Sequence, residues 1–201
     1  MRNGGYLLFR AFDTIFGFFD HNHEIDNLVG KEQFCNYVGN PQDKEKSGLK
    51  VCTGPYQVDH SDYEPNHMYH QTTMELFGSY FPSNETLDNP PQMVGFAHQA
   101  AVGNPAIKNN QSVLSQVMHS FHPKNIPVHA KLASEYAVFD RWFSSVPGPT
   151  QPNRAFSHAA TSSGMFRNDP KMMVAGLPAR VIQQDIADAG LSWKTYFQEY
   201  I

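Results

Sequence analysis

The 201-residue sequence predicts an α/β fold, in which helices pack against a sheet. Helical and strand-like segments alternate through the second half of the chain, as they do in folds of this class. Hydrophobic residues make up 40% of the chain and aromatic residues 13%, which is enough for one sizeable core. We therefore expect one domain, or part of a larger one, over residues 1–201.

Apolar spacing and turn residues define the individual elements. Val113, Val117 and Phe121 recur at i, i+4 and i+8, which places them on one helix face. Asn125 is a candidate cap for the next helix, and Pro127 lies in its first turn. Helices are predicted at 94–101, 112–121, 127–136, 154–162 and 178–189, and strands rich in β-formers at 137–143 and 191–197.

The first half of the chain is less regular. Residues 1–20 are atypical, because they read either as a strand or as an aromatic-rich helix without a clear period. Prolines and glycines interrupt residues 35–92, which predicts a long loop region. A loop region of this length in a compact domain usually carries function. Its aromatic and methionine side chains could suit lipid chains or form ordinary core.

Charge and hydropathy exclude several classes of function. The formal net charge of −4 excludes a basic nucleic-acid binder. The high aromatic content excludes a polyanionic disordered tail. No stretch approaches the roughly 20 apolar residues of a transmembrane helix.

Three features bear on the compartment and leave it open. Cys35 and Cys52 are either two buried thiols or a loop-closing disulfide. Glycosylation acceptors occur at Asn84-Glu85-Thr86 and Asn110-Gln111-Ser112, which weakly favours secretion of the full-length form. No ordinary signal peptide is recognised, because Arg10 and Asp13 interrupt the first apolar stretch.

The loop at 147–154 is the first candidate for chemistry. Thr150 lies where a helix N-cap is expected, and Pro152 falls near the first helical turn. A hydroxyl held at a helix N-terminus can attack phosphorus, while the free N–H groups there steady the phosphoryl oxygens. Asn153 and Arg154 add donors, and arginine binds phosphate in bidentate fashion. The alternative is an ordinary capping threonine on a proline-rich turn.

Histidine-rich polar segments are the second candidate. Segments 21–27 and 64–70 mix histidine, carboxylate and asparagine, which are metal-ligand and general-acid types. The alternative is a set of solvated surface side chains. His119 and His122 are interpreted as a solvated helix flank. A zinc hydrolase is disfavoured, because no H-E-x-x-H spacing occurs.

These motifs together resemble a known family. The T-x-P-N-R motif is complete at 150–154, and the stretch before it, Val128–Ser145, is similar to the family throughout. A P-x-H motif stands at 65–67, and an E-N-x-S-F-D motif survives in degraded form at 21–26. The sequence resembles the phosphoesterases that include non-specific phospholipases C and related acid phosphatases, over roughly residues 21–200. The resemblance implies an alkaline-phosphatase-like three-layer α/β/α sandwich, incomplete at its C-terminus.

The resemblance also implies roles for particular residues. Thr150 matches the nucleophile, which also touches a divalent metal ion, and Asn22 matches a metal ligand. His67 matches a histidine that contacts phosphate or protonates a leaving group. Asn153 and Arg154 match residues that shape and support the nucleophile loop. The chemistry would be covalent catalysis with metal assistance.

Two departures from the family pattern limit the prediction. His21 stands where the family has a metal-binding glutamate, although hard divalent ions prefer carboxylates to imidazole. The family's later acidic, histidine-containing metal segment has no counterpart, so we expect a truncated version of a longer enzyme. The favoured activity is phospholipase C cleavage of glycerophospholipids, with transient contact with a membrane surface. An acid phosphatase and an inactive remnant are the alternatives.

Overall fold

The computed structural model describes residues 12–20, 25–56 and 65–196. The chain divides into two compact units, residues 1–143 and residues 144–201. Each unit is built from short helices, and the first unit also contains short strands. This mixture fits the predicted α/β class. The prediction of a single partial domain over 1–201 stays a prediction.

Along the described part of the first unit, one helix is followed by three strands, four helices, a fourth strand and a last helix. The helices of this unit are α1 (Phe12–Phe16), α2 (Tyr69–Phe77), α3 (Asn84–Leu87), α4 (Phe96–Gly103), α5 (Gln111–Met118) and α6 (Pro127–Glu135). The strands are β1 (Cys35–Tyr37), β2 (Lys50–Cys52), β3 (Gly54–Pro55) and β4 (His119–Ser120). Short 3₁₀ turns lie at Pro105–Ile107 and Pro123–Asn125.

An antiparallel hairpin anchors the larger core of the first unit. Strands β1 and β2 pair with Cys35 opposite Cys52, and a disulfide joins these two cysteines. Of the two possibilities that the sequence left open, the structure has the disulfide. Closing a loop of this length stabilises a fold by about 3 kcal/mol through the entropy of the unfolded chain.

Small side chains bring helix α4 close to its neighbours. Ala97, Ala100 and Ala101 are buried on one face of α4. They pack with Val51 of the hairpin and with Leu114 of α5, which is fully buried. Alanine loses little conformational entropy when it is buried and allows close helix packing. This cluster is the main apolar core of the first unit.

A buried amide fixes where α4 begins. The Asn36 side chain donates to the Met93 carbonyl (2.9 Å) and accepts from the Phe96 N–H (2.8 Å). Gly95, between these two residues, lies so close to α2 that a Cβ atom would come within 2.0 Å of the Met74 carbonyl oxygen. Within the described part of the 35–92 region, irregular segments join the β1–β2 hairpin, β3, α2 and α3.

A second apolar cluster lies around the parallel pair of β3 and β4. Tyr56 stacks on Phe121 with ring centroids 5.0 Å apart, and Ile126 completes the cluster. The Tyr56 hydroxyl donates to the Gln116 carbonyl, so the buried ring keeps its polar end satisfied.

The described residues of the second unit, 144–196, contain three helices. They are α7 (Thr150–Ala159), α8 (Pro170–Ala175) and α9 (Ile182–Asp188). Gln183 of α9 lies 3.2 Å from Nδ1 of His158 on α7. Asp169 caps α8 by accepting from the N–H groups of Lys171 and Met172.

The two predicted strands are wrong. Residues 137–143 and 191–196 are irregular, and Phe139, Trp142 and Phe143 are mostly exposed. A strand is held by hydrogen bonds to a neighbouring strand. Each sheet in the described part of the chain has two strands, and neither sheet includes these segments. The three-layer sandwich therefore stays a prediction.

The predicted helices agree better with the structure, but one cap and two helix starts differ. Ile126, not Asn125, is the cap residue of α6, because Asn125 closes the preceding 3₁₀ turn. Helix α7 starts at Thr150, four residues before the predicted start. Helix α9 begins at Ile182, later than predicted. Gly190, just beyond it, has a positive φ of 75°, which glycine adopts freely.

Glu75 of α2 is a buried carboxyl group, and one of its oxygen atoms has no hydrogen-bond partner among the described residues. Its side chain is 6% exposed, and that oxygen is Oε1. Burial raises the pKa of Glu75 from its ordinary 4.5 to about 8. The group is therefore neutral in the folded chain at pH 7 and ionised in the unfolded chain.

We expect Glu75→Gln to remove a pH-dependent loss of stability. Between pH 4.5 and about 8 the folded chain binds one more proton at Glu75 than the unfolded chain does. The free energy of unfolding should therefore fall with rising pH by about 1.4 kcal/mol per pH unit from this group. Denaturant titrations of wild type and variant at several pH values give the difference.

The control for this measurement is Glu85→Gln, which changes an exposed glutamate on α3. Its side chain meets water in both states, so the control should keep the wild-type slope. Parallel stability curves for wild type and Glu75→Gln across this range would contradict the assignment.

Candidate active site

Thr150 is presented at the start of helix α7. The preceding Pro149 is buried and extended (φ −74°, ψ −179°), and it occupies the N-cap position without a side-chain hydrogen bond. Thr150 is thus the first helical residue and not the cap that the sequence predicted. The side chain of Thr150 is half-buried, and that of Pro152 in the same turn is fully buried.

Asn153 holds the loop that leads to Thr150. Its Oδ1 atom accepts from the N–H groups of Ser145 (3.0 Å) and Val146 (3.1 Å). Its Nδ2 atom donates to the carbonyls of Val146 (3.0 Å) and Pro149 (3.1 Å), with Gly148 at 3.4 Å. One amide side chain therefore ties the first turn of α7 to the backbone on both sides of the loop. The role of Asn153 in catalysis stays a prediction.

Asn168 is a contributor that the sequence analysis missed. Its Oδ1 accepts from the Gln151 N–H at 2.9 Å, so a residue from beyond α7 caps the first turn of the helix. The sequence feature that could have pointed to Asn168 is the turn-forming segment Asn168-Asp169-Pro170, which precedes α8. Nothing in that run indicates which helix its side chains contact.

Few N–H groups remain at the helix start for a ligand. A helix leaves its N-cap, N1, N2 and N3 donors without intrahelical partners. Proline supplies no donor at the N-cap (149) or N3 (152), and Asn168 takes that of Gln151. Among the described residues, this leaves the Thr150 N–H without a partner. The expected set of several backbone donors is thus reduced to one, beside the Thr150 hydroxyl.

Arg154 lies one residue after Asn153, and its side chain is exposed. Its backbone carbonyl accepts from the Ser157 hydroxyl at 2.8 Å within α7. The described contacts of Arg154 do not show that it binds phosphate. Its support of the nucleophile loop stays a prediction.

His67 belongs to the first unit, directly before α2. Its side chain is half-buried, and Nδ1 lies 3.1 Å from the Pro65 carbonyl. Because a carbonyl only accepts, Nδ1 carries the proton, which leaves Nε2 with the lone pair in the neutral ring. Asn66 accepts from the Met68 N–H at 3.2 Å and so closes the turn on the other side.

The predicted metal ligands are only partly described. His21 and Asn22 lie outside the described residues, so Thr150 is the one predicted ligand that the structure shows. Within residues 12–20, 25–56 and 65–196, no three His, Cys, Asp or Glu side chains come together as a metal site would require. The described residues do not form a metal site by themselves.

Asp26, the last residue of the degraded E-N-x-S-F-D motif, and its neighbour Asn27 stabilise the local fold. Asp26 pairs with Lys31 (2.5 Å), and the hydrogen bond from Lys31 lowers the pKa of Asp26. The neighbouring Asn27 donates to the Phe19 carbonyl at 2.8 Å and accepts from the Val29 N–H. These contacts fasten the chain just after the predicted ligands.

Comparison with known proteins gives a consistent result over nearly the whole chain. The Phosphoesterase family model matches residues 9–200. Non-specific phospholipase C1 of Arabidopsis thaliana is 38% identical over 190 residues, which cover 94% of this chain and 32% of that protein. Non-specific phospholipase C4 of the same plant is 35% identical over 192 residues, covering 94% of this chain and 34% of the relative.

A bacterial relative matches a shorter segment. Phospholipase C B of Mycobacterium tuberculosis is 31% identical over 80 residues, or 36% of this chain and 15% of that protein. The chain thus spans about a third of the length of the plant proteins that it matches.

We expect Asn153→Ala to release the loop at 144–149. The variant loses two acceptor contacts to backbone N–H groups and the donor contacts to loop carbonyls, which costs about 1–3 kcal/mol of stability. The Ser145 and Val146 amides should then exchange hydrogen with solvent much faster. Hydrogen exchange measured on a peptide covering 144–149 detects this change.

Gln151→Ala is the matched control, since Gln151 is an amide on the same helix turn and its backbone N–H survives the change. Unchanged exchange at Ser145 and Val146 in Asn153→Ala would show that the side chain does not hold the loop.

Proposed function

The chain belongs to the Phosphoesterase family, and we propose on that premise that it hydrolyses phosphoric ester bonds by a phospholipase C reaction. The substrate is a glycerophospholipid, and the products are diacylglycerol and a phosphorylated head group. The observation that carries the proposal is the placement of Thr150 as the first residue of a helix, behind a loop held by Asn153. The names of the plant relatives support the choice of substrate.

In the proposed reaction Thr150 is the nucleophile. As the Thr150 Oγ atom forms a bond to phosphorus it releases its proton to solvent, the bond between phosphorus and the glycerol oxygen breaks, and diacylglycerol leaves with a proton on that oxygen. Water then attacks phosphorus, the bond from phosphorus to Thr150 Oγ breaks, and Oγ takes up a proton as the phosphorylated head group is released. The Thr150 N–H is placed at the same helix start and is suited to steady a phosphoryl oxygen.

His67 is proposed as the proton donor or phosphate contact. Its Nδ1 atom is engaged by the Pro65 carbonyl, so Nε2 is the nitrogen available to the substrate. A protonated Nε2 can give its proton to the departing glycerol oxygen and accept it back from water in the second step. Arg154 is proposed to support the phosphate charge.

We also propose a divalent metal ion, with Asn22, Thr150 and His21 among its ligands. A bound cation would lower the pKa of the hydroxyl nucleophile and neutralise phosphate charge. Since the described residues form no metal site, the proposal depends on residues outside them. The alkaline-phosphatase-like sandwich remains part of the same proposal.

A lipid substrate requires contact with a membrane surface. Among the described helices, none is long and apolar enough to cross a bilayer. An apolar groove of about 450 Å³ lies in the first unit, lined by residues that include Phe16, Leu132 and Trp142. Its exposed aromatic side chains support transient contact with lipid.

Two alternatives share the same loop. A phosphomonoesterase of the acid phosphatase type would use Thr150 in the same way on a smaller substrate. An inactive remnant is favoured by one observation, the lack of a three-residue ligand cluster among the described residues. The experiments below separate the three.

We expect Thr150→Ala to abolish hydrolysis of a choline phospholipid, because the variant lacks the attacking oxygen, while Thr150→Ser retains measurable turnover. The assay follows release of phosphocholine from mixed micelles, beside hydrolysis of a phosphomonoester by the same preparation. Ser157→Ala, which removes another hydroxyl from α7, is the control and should keep wild-type activity.

Each outcome of this assay has a meaning. Turnover of the monoester alone would refute the phospholipase proposal and support the phosphatase. Full activity in Thr150→Ala would remove Thr150 from the mechanism, and inactivity of the folded wild type with added cations would support the remnant.

The second test addresses the metal. We expect a chelator to stop turnover and His21→Glu to raise it in the presence of magnesium or calcium, since hard cations prefer carboxylate ligands. Rates measured across a series of cation concentrations should show tighter apparent cation binding in His21→Glu. Chelator-resistant activity in both proteins would refute the metal proposal.

A further inference from the structure

The two glycosylation acceptors lie in different structural settings. Asn84 is the first residue of α3, and Asn110 is the N-cap of α5; both are exposed. The Asn110 side chain accepts from the Val113 N–H at 3.2 Å and is engaged in the fold. Within the described part of the chain, the Asn84 side-chain amide has no hydrogen-bond partner.

The turn around Asn84 is stabilised without using the Asn84 side chain. Ser83 caps α3 by accepting from the Thr86 N–H at 3.2 Å, and the two hydroxyl groups lie 3.0 Å apart. Asn89 donates to the Glu85 carbonyl at 2.8 Å. A group attached to Nδ2 of Asn84 would therefore disturb none of the contacts that shape this turn.

The disulfide provides an independent observation about the compartment. Cys35 and Cys52 are bonded to each other, and no free cysteine occurs among the described residues. Disulfides form and persist in secretory and extracellular compartments and are rare in reducing ones. The machinery that attaches oligosaccharides to Asn-X-Ser/Thr acts in the same secretory route.

The surface next to Asn84 would benefit from a hydrophilic cover. Phe81 is 77% exposed and Leu87 50% exposed, and residues 87–93 are exposed throughout. Large apolar side chains on an exposed surface promote association between molecules. An oligosaccharide on Asn84 is bulky and solubilising and would shield both side chains.

From these observations we propose that Asn84 carries an N-linked oligosaccharide, attached while the chain passes through an oxidising secretory compartment. The co-reactant is a lipid pyrophosphate-linked oligosaccharide. A bond forms between Nδ2 of Asn84 and the anomeric carbon of the first sugar, and the bond from that carbon to the pyrophosphate oxygen breaks. The lipid pyrophosphate leaves, and the amide gives up one proton.

The test begins with protein isolated from the cells that make it naturally. The tryptic peptide that contains Asn84 is analysed by mass spectrometry before and after an amidase that releases N-linked glycans. We expect the amidase to leave an aspartate at position 84, labelled when the reaction is run in heavy-oxygen water. An unmodified Asn84 peptide in this material would overturn the proposal.

Variants expressed through a secretory host identify the site. Asn84→Gln and Thr86→Ala should each remove one glycosidase-sensitive mass shift, whereas Thr86→Ser should keep it because the acceptor motif survives. A shift that persists in Asn84→Gln and disappears in Asn110→Gln would overturn the assignment. Attachment precedes folding, so translation into microsomes gives the same readout for a variant that folds poorly.

Solubility measures what the modification does. Glycosidase treatment of the wild type should increase light scattering on concentration, and Asn84→Gln should behave like the treated protein. Asn84 lies outside the proposed site, so phosphoesterase activity serves as a separate readout. A glycosylated wild type that hydrolyses no phosphoester would count against the proposed reaction, and the glycosylation of Asn84 would still hold.

Discussion

The proposed site depends on the side-chain amide of Asn153. A loop with prolines at 147 and 149 has few backbone donors of its own, so its shape must come from elsewhere. Asn153 supplies both kinds of hydrogen bond at once, to N–H groups at the entrance of the loop and to carbonyls near its end. Since Asn153 is itself in the first turn of α7, the loop and the helix start move together. The position of Thr150 follows from that coupling.

Local signals allowed much of the helical structure to be predicted. The spacing of Val113 and Val117 and the position of Pro127 identify α5 and α6 to within a few residues. The T-x-P-N-R motif drew attention to the loop at 147–154, and the roles that it implies for its residues stay predictions. The start of α7 was placed four residues too late, although Pro152 fits the first turn because N3 is a position where a missing N–H costs nothing.

Features that depend on distant residues were beyond the sequence. The strand predicted at 137–143 is rich in β-forming residues, but such residues form a strand only beside a partner. The contact of Asn168 with the Gln151 N–H joins residues 17 apart, and no local pattern indicates it. Nothing in the sequence indicates that Glu75 is buried, since a carboxylate in an amphipathic helix usually faces water. From the sequence alone, two buried thiols and a disulfide were equally plausible for Cys35 and Cys52. The hairpin register places the two residues opposite each other.

The exposed segment before the loop has a practical consequence for handling the protein. Tyr136, Phe139, Trp142 and Phe143 lie within eight residues that form no helix or strand, and all four side chains are largely in water. Proteases that cut after large aromatic residues act on exposed, irregular backbone. A nick there would sever the polypeptide before Thr150 and leave the disulfide-linked hairpin intact. Spectra of the hairpin and its helices would change little after such a cut, so an electrophoretic check of chain length should accompany storage of the protein.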